Sequence, residues 1–243
     1  MNSPIQERRA FTRAKEPGRL CEDVVLGRPR LGSFALSDGA SISYDSRGWA
    51  RTLCWQFMRD INVGPDWLER ARTRFAALSK PAEDDWAAVL ASDRGSYATF
   101  LGLTLTASGL VVHAIGDTVL FAVWPDTQLT IYPQLSHADF AGEPVLLCSV
   151  AGRGAFPDTE DAFSDRQFTV PAPSGGWAGT KLMAVTDALA EWVLRVDGDA
   201  ERLERLAQLD RHRDRASFDA WVAEAIAAGD LRRDDCSALV ISL

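Results

Sequence analysis

The sequence predicts an α+β domain in which helices pack on mainly antiparallel sheets. The first observation behind this is order. Segments patterned as strands, helices, strands, helices and a final strand follow one another, without the strand–helix alternation of a doubly wound sheet. The second is a meander. Residues 97–106, 110–115 and 119–124 are strand-like runs joined by tight turns, the connection that antiparallel pairing permits. The third is size. A chain of 243 residues with 47% hydrophobic content suits one large domain, able to bury roughly 70–75% of its unfolded surface.

Residues 1–14 read as a charged, loosely ordered N-terminal segment and residues 15–243 as a single domain. Residues 24–26 and 33–37 read as short strands flanking the turn Gly27-Arg28-Pro29-Arg30-Leu31-Gly32. Helical periodicity follows over 48–61, where Trp49, Leu53, Phe57 and Ile61 share one stripe. Pro65 suits the first position of a second helix, which carries Trp67, Leu68, Ala71, Phe75 and Leu78 and stops before Pro81. A shorter helix is expected over 84–90. After the meander comes a strand at 145–150. Residues 152–179, rich in Gly, Pro, Ser and Asp, read as a long irregular excursion of the kind that often carries function. A strand at 181–185, helices at 188–194, 199–209 and 217–228, and a terminal strand at 236–243 complete the chain.

The formal net charge of -8 and isoelectric point near 4.9 set the surface against phosphate backbones and anionic lipid. Neither nucleic acid nor membrane is expected as a partner. The apolar runs fall far short of the ~20 residues of a membrane helix, and the N-terminus has no apolar leader core. A cytoplasmic protein is expected. Cys21, Cys54, Cys148 and Cys236 are scattered without a C-x-x-C pair, and read as reduced, buried thiols. Neither a phosphate-binding G-x-x-x-x-G-K-[ST] loop nor a G-x-S-x-G nucleophile elbow occurs. His113 lies in an apolar strand and reads as core; His137 and His212 read as loop and solvated face.

The informative residues are carboxylates at strand ends. Glu22-Asp23 precedes the first strand of the N-terminal hairpin and Asp38 follows the second. Asp23 and Asp38 are equidistant from its turn, so antiparallel pairing brings this acidic group together at the open end. Gly39 leaves its backbone carbonyl unobstructed by a side chain. Asp187 follows the strand at 181–185 and opens a helix, and Asp234-Asp235 precedes the terminal strand. Rigidly mounted carboxylates of this kind suit hard, oxygen-seeking cations such as Mg²⁺ or Mn²⁺. Taken singly, each has an ordinary reading: a helix N-cap for Asp187, turn residues for Asp38-Gly39 and Asp234-Asp235, a solvated edge for Glu22-Asp23.

The ordered set resembles the type-2C (PPM) metal-dependent serine/threonine protein phosphatases, especially their compact bacterial members. Residues 15–24, ending in Glu22-Asp23-Val24, look like that family's opening segment. Phe34-Ala35-Leu36-Ser37-Asp38-Gly39 looks like its central metal motif, and residues 95–102 like the strand after its helical layer. Ile115-Gly116-Asp117-Thr118 resembles its Gly-Asp-Ser turn, Val185-Thr186-Asp187-Ala188 its Ser/Thr-Asp-Gly segment, and Asp234-Asp235-Cys236-Ser237 its C-terminal acidic segment. These cover nearly the whole chain in the family's order. Ala188 stands where the family usually has Gly, and Asp235 where it often has Asn.

The resemblance implies a four-layer α-β-β-α sandwich with a two-cation Mn²⁺ or Mg²⁺ centre between the sheets. In it Asp38 would bridge both ions, the Gly39 carbonyl would join it, and Asp187 and Asp234 would be terminal ligands, with Asp235 the alternative to Asp234. Glu22 and Asp23 would sit in the outer shell, Asp117 in a structural turn, and Arg19 would be the arginine closest to a phosphate-holding position. The implied activity is hydrolysis of phosphoserine and phosphothreonine by a metal-bridging hydroxide, with Asp38, Asp187 and Asp234 as the catalytic set. Phosphoprotein substrates, and a cognate serine/threonine kinase or its targets, are the implied partners in signalling. The competing expectation is a catalytically inactive, phosphatase-like regulatory or binding module.

Overall fold

The computed structural model describes residues 4–82 and 84–243. Strands β1 (Glu7–Arg13), β2 (Val24–Arg28) and β3 (Ser33–Ser37) precede helices α1 (Ser46–Arg59), α2 (Pro65–Leu78) and α3 (Trp86–Arg94). Next come β4 (Tyr97–Ala98), β5 (Phe100–Leu105), β6 (Gly109–Ile115), β7 (Val119–Val123), β8 (Leu129–Tyr132) and β9 (Leu147–Cys148). The rest is α4 (Glu160–Ser164), β10 (Gln167–Pro171), β11 (Lys181–Val185), α5 (Asp187–Leu194), α6 (Asp199–Asp210), α7 (Arg215–Ala227) and β12 (Cys236–Ser242).

Two five-stranded antiparallel sheets result, one ordered β1-β12-β11-β7-β8 and the other β10-β6-β5-β3-β2, with β4 and β9 forming a small separate pair. Alternate side chains on each strand point to opposite faces, and both faces are buried. On β12, Ala238 and Val240 face helices α5–α7 while Leu239 and Ile241 face the other sheet. On β3, Ala35 faces α1 and α2 while Phe34 and Leu36 face inward. Three apolar layers follow: helices on sheet, sheet on sheet, and sheet on helices. The α+β fold is therefore a four-layer α-β-β-α sandwich. Burial on both faces also explains why 119–123 and 238–241 read as continuous apolar runs rather than as alternating ones.

Several elements depart from the sequence reading. Residues 7–13, expected in a loosely ordered start, form β1, which pairs with β12 along its whole length; Met1–Ser3 lie outside the described residues. Helix α1 stops at Arg59, and Ile61 lies beyond it, 42% exposed. The strand expected at 97–106 breaks at Thr99 into β4 and β5. The excursion at 152–179 contains α4 and then β10, an edge strand on β6. All four cysteines are free and buried. Among the described residues no helix is long and apolar enough to cross a membrane.

Candidate functional site

The hairpin β2–β3 pairs Val24 with Ser37 at its open end. One rung further stand Asp23 and Asp38. A tight turn through Gly32, whose φ is 63° and where a Cβ would meet the Leu105 carbonyl, sets this register. Thr99, at the break between β4 and β5, then fixes the Asp38 backbone. The Asp38 N–H donates to Thr99 Oγ1 at 2.9 Å, the Thr99 N–H donates to the Asp38 carbonyl at 2.9 Å, and Thr99 Oγ1 meets Thr118 Oγ1 at 2.6 Å. Gly39 is required by contact rather than by dihedral angle: a Cβ there would lie 2.8 Å from the Ser46 backbone at the start of α1.

On the other sheet, β11 leads into α5 through Thr186. Its hydroxyl donates to Asp23 Oδ2 at 3.0 Å and accepts the Ser237 N–H at 3.0 Å, tying both strand ends together. Asp187 is the first residue of α5, and its Oδ1 accepts the adjacent Ala188 N–H at 2.6 Å. Asp234 precedes β12.

Asp38, Asp187 and Asp234, far apart in sequence, line one cavity of about 200 Å³, together with Gly39, Ser41, Thr99 and Asp117. The segment carrying Phe140, Gly142, Pro144 and Leu146 forms another wall. None of the residues at 152–179 lines it.

The remaining candidates are placed differently. Asp23 is buried, one rung past the Val24–Ser37 pair and opposite Asp38. Glu22 lies beside the cavity, accepting from the hydroxyls of Ser41 and Ser46. Asp235 does not line this cavity: its carboxylate accepts the backbone N–H of Lys15 at 2.7 Å and of Glu22 at 2.5 Å, anchoring the N-terminal segment. Arg19 pairs with Glu16 at 2.9 Å in a neighbouring pocket and does not reach the three aspartates. Cys21, Asp23 and Asp235 also bring ligand-type atoms within 4.8 Å of one another. Burial pushes the Cys21 thiol up, and the Asp235 carboxylate accepts two backbone amides.

Crowded carboxyls in a dry site should resist ionisation. Burial, then the charges of Asp23 and Asp187, hold Asp38 well above the usual carboxylate range. Asp23 is pushed up to about 7, chiefly by burial, with Asp235 and Asp187 adding to it against hydrogen bonds from Ser237 and Asp38. Burial and Asp187 raise Asp117 to about 6. Asp187 is raised by burial and by Asp234, against the lowering effect of Arg232. One buried Asp23 oxygen, Oδ1, has no N–H or hydroxyl donor. A site of this kind calls for protons or added positive charge, and its donors are all hard oxygens. Divalent Mn²⁺ or Mg²⁺ fits that donor set.

No protein-family profile matches the chain, and no curated protein matches its sequence. Solved structures do match its shape. PppA, a key regulatory component of the type VI secretion system in Pseudomonas aeruginosa, superposes with a TM-score of 0.57 at 17% identity, covering 97% of this chain and 96% of that one. The serine/threonine phosphatase PstP of Mycobacterium tuberculosis gives 0.57 at 14% identity, with 98% of both chains covered. A structure of the PstP catalytic domain in complex with two manganese ions gives 0.56 at 14% identity, with 97% of both covered. The fold is that of the PPM serine/threonine phosphatases.

Two residues of this PPM fold were not legible as part of the cavity. Asp117 reads as a turn residue, yet it lines the cavity beside Asp187. Arg232 is the guanidinium present there. It donates to Asp187 Oδ2 and lies 3.7 Å from Asp234 Oδ2 and 3.4 Å from Glu191 Oε2. In the sequence, Arg232-Arg233 beside Asp234-Asp235 looks like a solvated charge run, and no spacing marks it out.

Proposed function

We propose that this chain is a metal-dependent protein serine/threonine phosphatase acting in the cytoplasm. The observation that carries this reading is the convergence of Asp38, Asp187 and Asp234 on one cavity at matching ends of the two sheets. The Asp38, Asp187 and Asp234 carboxylates and the Gly39 carbonyl would hold two Mn²⁺ or Mg²⁺ ions, with Glu22 and Asp23 reaching them through water. Bound there, such ions supply positive charge against an anionic phosphate monoester and make the attacking water more acidic.

The chain's own residues prepare the site. Thr99 fixes Asp38 through its backbone, so the carboxyl is positioned before any ligand arrives. Thr186 and Ser237 hold Asp23 opposite it and take up part of its charge. The segment carrying Phe140, Gly142, Pro144 and Leu146 walls one side of the cavity. Phosphoproteins are the proposed substrates, which makes a serine/threonine kinase or its targets the natural partner in signalling.

One observation favours a second reading, a catalytically inactive regulatory or binding module: Arg232 already neutralises Asp187 and Asp234. Hydrolysis of p-nitrophenyl phosphate and of phosphoserine, phosphothreonine and phosphotyrosine peptides separates the two. The expected result is turnover that needs Mn²⁺, stops with chelator and prefers phosphoserine or phosphothreonine. Normal Mn²⁺ binding without turnover would favour the regulatory module.

A further inference from the structure

The acidic cavity is electrostatically divided. Asp38 feels the charges of Asp23, Asp187 and Asp117, all negative. Asp187 and Asp234, on the other side, share one cationic head group, that of Arg232, which also faces Glu191. Arg232 reaches them from the short link between α7 and β12. Its neighbour Leu231 is buried in the apolar layer under α5–α7, which fixes where the link runs.

The arginine is held there by charge more than by a complete set of hydrogen bonds. A guanidinium offers five donors in a rigid fork. The Nε of Arg232 is buried and has no acceptor, so the side chain is confined to the site with one donor unmet. A structural arginine such as Arg72 differs. Its Nε donates to the Cys148 carbonyl at 3.1 Å and its two terminal nitrogens clasp Asp158 at 2.7 and 3.1 Å. The Arg232 side chain as a whole also keeps 37% of its surface exposed, so it has a path to solvent.

We propose that Arg232 is a resident counter-cation on the Asp187–Asp234 side of the cavity, and that a divalent cation takes those carboxylates only by displacing it. This rests on the metal-site reading above and adds a competitor to it. The consequence is a threshold. At low free Mn²⁺ the arginine holds the site together, and at higher concentration the ion replaces it. Arg232 is thus a gate on metal loading rather than a catalytic residue.

Calorimetric titration with Mn²⁺ tests this on wild type, Arg232→Gln, Arg232→Lys and Arg195→Gln. Arg195 lies near the same Glu191, at 3.4 Å, but makes no contact with Asp187, and so reports the effect of merely removing a nearby charge. Arg232→Gln is expected to bind Mn²⁺ about tenfold more tightly, equivalent to about 1.4 kcal/mol. Arg232→Lys should stay close to wild type, and Arg195→Gln should change affinity by less than about twofold. Unchanged affinity in Arg232→Gln, or an equal gain in Arg195→Gln, would overturn the gate while leaving the metal site standing. Absence of Mn²⁺ binding in every protein would overturn both. Should Arg232→Gln not fold, nitrogen-15 NMR of the wild type decides. Addition of diamagnetic Mg²⁺ should move the Arg232 Nε–H resonance to the position of a solvated arginine, and a resonance that stays put through saturation would refute displacement.

Discussion

Asp23 and Asp38 stand opposite one another one rung past the last pair of the β2–β3 hairpin, close enough for the charge of Asp23 to disfavour charge on Asp38. Burial favours the protonated form of Asp23 when no cation is bound, which ties the stability of the metal-free protein to pH. Asp23 is pushed up to about 7, whereas an unfolded aspartate titrates near ~3.9. Between those values the native state keeps a proton that the unfolded state has lost. Its contribution therefore favours the fold at low pH and fades as pH rises towards 7. His113 acts with the opposite sign: burial lowers it to about 4, so its contribution is lost as pH falls below ~6.5. Comparison with Asp23→Asn isolates the first effect. Urea unfolding in chelator should show the variant gaining on wild type from pH 5 to pH 8. A pH-independent difference would contradict the raised Asp23 carboxyl.

Gly39 is expected to be intolerant of a side chain for a steric reason. With a Cβ 2.8 Å from the Ser46 backbone, Gly39→Ala must push α1 away from the hairpin, at a cost of about 1–3 kcal/mol. Thermal melting without metal should record a drop of about 2–4 °C per kcal/mol. An unchanged melting temperature would show that α1 yields freely at its first turn.

Thr99 is expected to matter through its hydroxyl. Thr99→Val keeps the shape but leaves the Asp38 N–H and the Thr118 hydroxyl without partners in a buried site. The cost should be about 1–3 kcal/mol, with weaker Mn²⁺ binding because Asp38 is no longer fixed. Thr99→Ser should recover most of both. Equal behaviour of the Val and Ser variants in melting and titration would remove Thr99 from the positioning role.

Much of this arrangement was legible because it depends on strand ends. The symmetry of Asp23 and Asp38 about the hairpin turn follows from antiparallel pairing alone, and the strand positions of Asp187 and Asp234 follow from apolar runs that end beside them. What was hidden had physical disguises. β1 looks too charged for a buried strand, yet Arg9 is accommodated by Asp210 and by the carbonyls of Asp210 and His212 at 2.7 and 2.6 Å. β10 ends in Pro171 at the sheet edge, where a missing N–H is tolerated. Asp235 resembles Asp234 in sequence, and it is the backbone amides of Lys15 and Glu22 that place the two carboxylates differently. Arg232 shows no pattern at all, because its role depends on where the α7–β12 link runs in space.

The most direct test of the central claim pairs hydrolysis with stability in Asp38→Ala. Mn²⁺-dependent turnover of p-nitrophenyl phosphate should fall about a hundredfold or more, the scale on which losing one charge-stabilising contact in the transition state acts. The metal-free melting temperature should be equal to that of wild type or slightly higher, because the variant removes a crowded, half-buried carboxyl whose neighbours Asp23 and Asp187 disfavour its charge. Full activity in Asp38→Ala would contradict the proposed phosphatase site.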